Sequence, residues 1–291
     1  MKDTSLLSLL DKHIRTLSLA IGERHSGKPE ALDSAAAYIE HEARKLAQVE
    51  VHTYQYRGQS FKNIEAVVPG ASPQSLVIGA HYDTEMGTPG ANDNASGIAA
   101  LLAILNDLKD YKPELTIRFV AFANEEAMYF GGEGMGSLVY ATALKKAAVQ
   151  LKGMVSLETI GYFTAGAGTQ SYPEEVDAHR LGLSDVGNFL AFISDLSSKS
   201  FLDEAHRQFQ LFQTTPSAAL AAPAEVRGIS LSDHSSFWKM GYPAIMVTDT
   251  APFRYPYYHH QDDTPDKINM KVYKNAVLGL TAMTAALAGK V

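Results

Sequence analysis

The stretch that decides the fold reads Leu76-Val77-Ile78-Gly79-Ala80-His81-Tyr82-Asp83, followed by a Gly/Pro-rich loop and then Gly90-Ala91-Asn92-Asp93-Asn94-Ala95-Ser96-Gly97. The short apolar run predicts a strand that is buried on both faces of a sheet. Since side chains alternate along a strand, His81 and Asp83 share one face at its end. Apolar residues at helical spacing follow from Ile98, so Asp93 lies in a loop between strand and helix. One His and two Asp therefore gather at a strand end, as in a metal site, although a single His-x-Asp is more often a hydrogen-bonded surface pair.

Composition limits the classes of protein that fit. The chain has 291 residues, 46% of them hydrophobic, a net charge of −7 and no cysteine. It can bury a large core, and we expect a single domain over residues 1–291. The negative charge without a basic cluster argues against nucleic acid and anionic membranes as partners, and any metal must be held by His and carboxylates. The oligomeric state stays open.

The amino terminus has too short an apolar run for a signal peptide, and no stretch is long enough to cross a bilayer. As written, the chain is expected to be cytoplasmic, or periplasmic or secreted if a signal peptide has been removed.

Strands and helices alternate along the chain, which predicts an α/β fold: a three-layer α/β/α sandwich with a central mixed, mostly parallel sheet. Two adjacent strands with a short turn between them predict a hairpin at one edge. Residues 214–225, rich in Ala and Pro, are interpreted as a flap or linker within the domain. The predicted strands are 49–56, 63–68, 76–80, 115–123, 154–157, 188–194 and 243–248, and the predicted helices include 29–47, 198–212 and one that starts near Met270 with Asn269 as its N-cap.

Further polar residues stand where these strands end. Glu125 and Glu126 follow one strand and Glu158 follows another, and in such folds function gathers beyond the carboxyl ends of the strands. Each alone fits a solvated turn or a salt bridge, but their coincidence favours a site. Carboxylates with imidazoles suit Zn²⁺, with Mn²⁺ or Co²⁺ as substitutes. The glycine run 131–136 lacks a Gly-Lys-Ser/Thr ending and is interpreted as a flexible turn rather than a phosphate loop.

Six blocks in order resemble the co-catalytic, two-zinc aminopeptidases, a clan that also includes glutaminyl cyclases. The resemblance spans about residues 62–268, and the order of the blocks makes it specific. The blocks are Gly79-Ala80-His81-Tyr82-Asp83-Thr84, Gly90 to Gly97, Asn124-Glu125-Glu126, Leu157-Glu158, Ser232-Asp233-His234 and Tyr258-His259-x-x-x-Asp263-Thr264-Pro265-Asp266.

The resemblance implies two zinc ions per chain, an activated water and a peptide or aminoacyl substrate with a free N-terminus. It implies that His259, rather than its neighbour His260, is a ligand, because His259 stands four residues before the Asp-Thr pair. It also implies a cis peptide bond at Asp93–Asn94. The implied ligands are His81 and Glu158 for one ion, Glu126 and His259 for the other, and Asp93 as the bridge.

The resemblance further implies that Glu125 is the general base and that Asp83 orients His81. Many relatives supply a tyrosine shortly before the Ser-Asp-His block to stabilise the oxyanion, but Ile229 occupies about that position here. His234 is a candidate substitute for that tyrosine, and its alternative role is to anchor the short helix that follows it.

Three alternative functions remain. One is a glutaminyl cyclase-like acyltransferase with a single zinc, which the Glu125-Glu126 pair and the Asp93 loop disfavour. Another is a non-catalytic metal-binding module, which the retained base disfavours. A carboxypeptidase would need a basic residue for the substrate carboxylate, and Arg254 and Arg227 are the candidates. An apolar substrate pocket could be lined by aromatic residues near the blocks, namely Tyr162, Phe163, Tyr172, Phe237 and Tyr257.

Overall fold

The computed structural model describes residues 3–212 and 215–291. It contains one mixed eight-stranded sheet. The strands are β1 (Gln48–Tyr56), β2 (Gln59–Val68), β3 (Ser72–His81), β4 (Leu115–Phe122), β5 (Leu151–Glu158), β6 (Leu190–Ser194), β7 (Ser217–Ala221) and β8 (Ala244–Thr248). Their order in the sheet is β1-β2-β4-β3-β5-β8-β6-β7. The four central strands are parallel, and β1, β2 and β6 each have an antiparallel neighbour. The predicted α/β/α sandwich is confirmed.

Helices cover both faces of the sheet, because alternate residues of the central strands point to opposite sides. The helices are α1 (Asp3–Arg15), α2 (Pro29–Arg44), α3 (Gly97–Leu108), α4 (Gly136–Lys146), α5 (Lys199–Phe212), α6 (His234–Lys239), α7 (Ala251–Arg254) and α8 (Met270–Ala288). Ile78 and Ala80 pack in the larger core, beneath α1, α2, α3, α5 and α8, whereas Val77 packs in a smaller core beneath α4 and α6.

Several local predictions are confirmed. β1 and β2 form the expected antiparallel hairpin at one edge of the sheet. Asn269 caps α8, accepting a hydrogen bond from the amide of Val272 at 3.3 Å. The peptide bond between Asp93 and Asn94 is cis. Local signals of this kind, namely turn length and caps, act within a few residues and can therefore be detected in the sequence.

The interpretation of residues 214–225 as a flap or linker is wrong for its central part. Ser217–Ala221 forms β7, which pairs in parallel with β6 at the second edge of the sheet. Ala has low β propensity, so an alanine-rich edge strand gives almost no pattern to read. Thr214, the first residue of the predicted segment, lies outside the described residues.

The order of the strands places the carboxyl ends of β3 and β5 side by side, and that of β4 next to β3. The residues predicted to lie at strand ends, His81, Glu125, Glu126 and Glu158, converge at these carboxyl ends. None of the helices in the described ranges is both long enough and apolar enough to cross a membrane.

Candidate metal centre

Three neighbouring strands supply the first part of the site. His81 is the last residue of β3 and Glu158 is the last residue of β5. Glu125 and Glu126 follow β4 after a short turn in which Asn124 has a positive φ of 58°. All four site residues are buried. The parallel strands therefore bring one imidazole and three carboxylates together at their carboxyl ends, as the sequence predicts.

The loop that carries Asp93 is fixed by a carboxylate far along the chain. Asp263 accepts hydrogen bonds from the backbone amides of Asn92 at 2.8 Å and Asp93 at 3.0 Å. Its Oδ1 also accepts the hydroxyl of Tyr255 at 2.6 Å. In the sequence Asp263 stands out only as part of a motif, but in the structure its carboxylate orients the Asp93 backbone.

Around His81, the imidazole Nε2 lies 3.3 Å from Asp93 Oδ1 and 3.2 Å from Glu158 Oε2. Glu125 Oε2 is further away, at 3.9 Å. On the other side of the ring, Nδ1 lies 3.5 Å from Asp83 Oδ1. His81 is 1% exposed, and within the described ranges neither ring nitrogen has a hydrogen-bond partner.

Around His259, the imidazole Nε2 lies 3.3 Å from Asp93 Oδ2 and 3.3 Å from Glu126 Oε2. Asp93 thus directs one carboxylate oxygen to each histidine, which is the arrangement expected of a bridging ligand. His260 points elsewhere, since its Nδ1 lies near the exposed carboxylate of Asp262. This placement favours His259 over His260.

These separations fit metal ligands better than they fit hydrogen bonds. A tetrahedral Zn²⁺ with bonds of about 2.0–2.1 Å places two ligand atoms about 3.3 Å apart. The four N···O distances between the two histidines and Asp93, Glu126 and Glu158 are 3.2–3.3 Å. Buried imidazole nitrogens without partners are rare in folded proteins. The donor set therefore fits one divalent ion on each side of Asp93.

The electrostatics of the site also favour a divalent ion, because the site holds more carboxylates than its own cations neutralise. Burial, with Asp93 beside it, raises the pKa of Glu126 to about 8. Burial also raises the pKa of Glu125 well above its usual range, opposed by His81 and reinforced by Glu158 and Glu126. Asp93 is buried as well, but the two imidazoles keep its pKa low. A divalent cation would relieve this crowding of carboxylates.

Asp83 does more than face His81. Its Oδ1 and Oδ2 accept hydrogen bonds from the backbone amides of Glu125 and Glu126, at 3.0 and 3.1 Å. One buried carboxylate therefore ties the end of β3 to the turn after β4. Asp83 is also predicted to orient His81, and the contact that would do so is the longer one, 3.5 Å between Asp83 Oδ1 and His81 Nδ1.

The Ser-Asp-His block contributes one residue that supports the site, Ser232, and a second, Asp233, that lies buried within the influence of its charges. Ser232 donates its hydroxyl to Glu158 Oε2 at 2.8 Å and so fixes that side chain. Asp233 is fully buried, and burial raises its pKa to about 7, with His81 opposing the shift. The signal was the block itself, which the sequence analysis used only for His234.

The prediction that His234 replaces the oxyanion-stabilising tyrosine is wrong. Its Nε2 hydrogen-bonds the carbonyl oxygen of Ile229 at 2.7 Å, and its ring packs edge-on against Trp238. It is fully buried, which lowers its pKa to about 4. A neutral imidazole that is already bonded to the backbone anchors α6, the alternative role expected for it.

A phenol at the site belongs to Tyr258, which lines the same pocket as Glu158. Its ring stacks on His259 with centroids 3.8 Å apart. Burial raises its pKa, and the charges of Asp93, Glu158, Glu126 and Glu125 raise it further, so the phenol stays protonated. The signal was the residue directly before His259, which the sequence analysis quoted without assigning a role.

An apolar pocket enclosing about 80 Å³ opens beside Glu158 and Tyr258. Of the five aromatic residues expected to line such a pocket, Tyr172 does so, whereas Phe163 and Phe237 are core residues. Tyr162 and Tyr257 instead pack against Tyr255. The walls come mainly from Phe189, Ile193, Leu220, Leu231, Met246 and Phe253.

The two arginines considered for a substrate carboxylate have different positions. Arg254 is buried; its guanidinium donates to Gln170 Oε1 and to the carbonyl oxygen of Phe189, each at 2.7 Å. Nε and Nη1 are thus bonded within the fold, whereas the buried Nη2 has no hydrogen-bond partner among the described residues. Arg227 is exposed at the pocket rim and lies over the ring of Phe253.

Two imidazoles and four carboxylates, gathered beside the carboxyl ends of the central strands of an α/β/α sandwich, define a metal-dependent hydrolase. The model of peptidase family M28 matches residues 63–283. The chain belongs to this family and is a zinc-dependent metallopeptidase.

Two relatives are similar to this chain over most of its length. An Escherichia coli (strain K12) protein, described as uncharacterized protein YfbL, is 32% identical over 94% of this chain and 86% of its own length. A probable leucine aminopeptidase of Arthroderma otae is 29% identical over a stretch that covers 71% of this chain and 52% of that protein.

Solved structures show the same fold. BSAP, a zinc aminopeptidase from Bacillus subtilis, superposes with a TM-score of 0.77 at 16% identity and covers 98% of this chain and 95% of its own. A Fimbriiglobus ruber glutaminyl cyclase superposes with a TM-score of 0.69 at 20% identity and covers 95% and 94%. The fold alone therefore does not separate peptidase from cyclase.

Proposed function

We propose that the protein is an aminopeptidase with two zinc ions, which removes N-terminal residues from peptides. The observation that carries this proposal is the set of four N···O separations of 3.2–3.3 Å on the two sides of Asp93. His81 and Glu158 would hold one ion, His259 and Glu126 the other, and Asp93 both. A cyclase with one zinc would not require both histidine sites.

The ions would supply Lewis acidity, which makes water nucleophilic near neutral pH and polarises the scissile carbonyl. The protein's own contribution begins with Glu125. Its carboxylate lies at the edge of the cluster, 3.9 Å from His81 Nε2 and further than the ligand oxygens of Asp93 and Glu158. It is therefore free to take a proton from the attacking water and return it to the leaving amine, a role typically worth ~10²–10⁴-fold in rate.

Tyr258 would stabilise the oxygen of the scissile carbonyl. Its phenol stays protonated because of burial and the surrounding carboxylates, and a neutral hydroxyl donates a hydrogen bond to a developing oxyanion. Stacking on His259 fixes the ring next to the cluster. Tyr258→Phe keeps the stacking and removes the donor.

The position of the pocket favours an exopeptidase. Glu158 and Tyr258 line it together with mostly apolar side chains. A substrate whose first side chain fills the pocket would bring its free amine to the carboxylates of the centre. Two of the three guanidinium nitrogens of Arg254 are bonded within the fold, which leaves at most Nη2 for a substrate carboxylate.

The experiment is a screen of aminoacyl-anilides and short peptides with free or acetylated N-termini, with and without a chelator. We expect hydrolysis of the free forms, no hydrolysis of the acetylated forms, loss of activity on chelation and recovery with zinc. Equal hydrolysis of acetylated substrates would refute the exopeptidase assignment. Full activity after long incubation in excess chelator would refute the metal mechanism, and cyclisation of glutaminyl peptides without hydrolysis would favour the cyclase.

A further inference from the structure

The largest fully buried side chain among the described residues is a cation that the mechanism above does not use. Arg24 is 0% exposed. It lies in the irregular segment between α1 and α2, ahead of residues 63–283 that match the family model. A buried guanidinium needs acceptors for its donors, so the identity of those acceptors shows what it does.

Arg24 donates to backbone carbonyl oxygens at both ends of the loop that joins His81 to Asp93. Its Nε donates to Tyr82 at 2.6 Å, Nη1 donates to Pro89 at 2.8 Å, and Nη2 donates to Gly90 at 3.0 Å. Nη1 also donates to the carbonyl oxygens of Leu17 at 3.2 Å and Gly22 at 3.1 Å, in the segment that carries Arg24. Tyr82 follows His81 directly, and Gly90 stands three residues before Asp93. One planar group therefore holds both attachment points of the loop.

The backbone of Arg24 binds the same loop. Its amide donates to Thr84 Oγ1 at 3.1 Å, and its carbonyl accepts from the Thr84 amide at 2.9 Å. Gly90 has a positive φ of 64°, and a Cβ there would meet Asp93 O and Thr84 Cγ2 at 2.4 Å. The loop is packed tightly around the guanidinium, so its shape depends on that group.

The charge of Arg24 also suits its place. Burial lowers its pKa to about 10, while Asp83, Asp263, Asp93 and Glu126 oppose that change. It therefore remains a cation at neutral pH, close to the acid-rich centre. Lysine would keep the charge, but one ammonium cannot reproduce a planar fork that reaches five backbone carbonyls.

We propose that Arg24 is a positioning residue of the metal centre: by bonding Tyr82, Pro89 and Gly90, it sets the separation of His81 and Asp93 before any ion binds. This inference rests on the proposed metal centre. It makes the segment before α2 part of the active site, although that segment supplies no ligand.

The test compares Arg24→Lys with the matched control Arg118→Lys. Arg118 donates to Glu65 and Ser75, away from the loop. We expect Arg24→Lys to weaken zinc binding by about tenfold or more, as loss of groups that orient ligands typically does, and to lower kcat at saturating zinc with little change in KM. Arg118→Lys should leave zinc affinity unchanged. Competition with a chelating dye measures the affinity, and thermal melting of the metal-free proteins verifies folding.

Hydrogen exchange of the metal-free wild-type protein gives a second measurement that needs no variant. We expect the amides of residues 82–92 to be protected without zinc, because Arg24 already fixes the loop. Exchange as fast as in the exposed loops would overturn the proposal, as would wild-type zinc affinity in folded Arg24→Lys. If the wild-type protein itself bound no zinc, the metal centre would fail instead, and the two failures are thus distinguishable.

Discussion

Among the described residues, two regions group a histidine with at least two carboxylates, and one of them has the properties of a metal centre. The first is the centre around His81 and His259. The second is the cluster of Glu50, His52 and Glu65 on the edge hairpin, here called the edge cluster. In each, possible ligand atoms lie within 4.8 Å of one another.

The two regions differ in how their groups are paired. In the edge cluster, Glu65 gives one oxygen to His52 Nε2 at 2.6 Å and the other to Arg118 Nη1 at 2.6 Å. Both contacts are short, charge-assisted hydrogen bonds. In the centre, both nitrogens of His81 lack hydrogen-bond partners within the described ranges.

The comparison teaches that proximity of ligand types does not identify a metal site. The edge cluster satisfies its own charge, and the side chain of Glu50 is 72% exposed. The centre is buried, has surplus negative charge and holds its nitrogens and oxygens at the spacing of ligands around one ion. Unsatisfied buried donors are the feature that separates the two.

The largest effect is expected for Glu125→Gln, which keeps the size and hydrogen bonding of the side chain but removes the base. Steady-state kinetics should show kcat lower by ~10²-fold or more, with zinc content unchanged. The same change in the edge cluster, Glu65→Gln, should leave kcat as it is. Normal turnover by Glu125→Gln with two ions bound would place the general base elsewhere.

The next effect concerns the ligands. Glu126→Ala removes a carboxylate 3.3 Å from His259 Nε2, and we expect affinity for one ion to fall by at least ~10-fold, with partial rescue of activity by added zinc. Metal analysis after dialysis measures it, and Glu65→Ala is the control that should retain full zinc content. Equal zinc loss in both variants would erase the distinction between the two regions.

A moderate effect on stability is expected in the edge cluster. Glu65→Ala leaves a half-buried Arg118 and His52 without their partner, and the free energy of unfolding should fall by about 1–3 kcal/mol. Urea unfolding measures this change. If Glu65→Ala were as stable as the wild-type protein but inactive, the edge cluster would have a functional role that its pairing does not suggest.

The smallest effect is a pH dependence. The hydrogen bond to Glu65 raises the pKa of His52, opposed by burial. The contribution of protonated His52 to stability is therefore full below its unfolded pKa of about 6.5 and is lost as pH rises through the folded pKa. The stability difference between wild type and His52→Gln should shrink over that range in urea unfolding. A difference that does not change with pH would show that the pair is not charged.

Sequence reasoning succeeded where a residue's place follows from its own strand. Because side chains alternate along a strand, His81 and Asp83 lie on one face. Because Glu125, Glu126 and Glu158 stand where parallel strands end, they lie at the carboxyl end of the sheet. These signals are local, and the parallel order of the central strands then brings them together.

The residues that sequence reasoning missed act across long separations. Asp263 binds the amide of Asp93, 170 residues away, and Arg24 binds the carbonyl of Gly90, 66 residues away. Such side chain to backbone bonds have no periodicity. His234 was misassigned because the direction of its ring depends on the carbonyl of Ile229, which only the folded turn brings within reach.

The most direct test of the account is the number of ions bound. The protein is loaded with zinc, dialysed and analysed for metal and protein, alongside Glu126→Ala and Glu65→Ala. The account predicts two ions per chain for the wild-type protein and Glu65→Ala, and one for Glu126→Ala. A wild-type protein that saturates with a single ion, or that binds none, would contradict the assignment of Asp93 as a bridge between two metals.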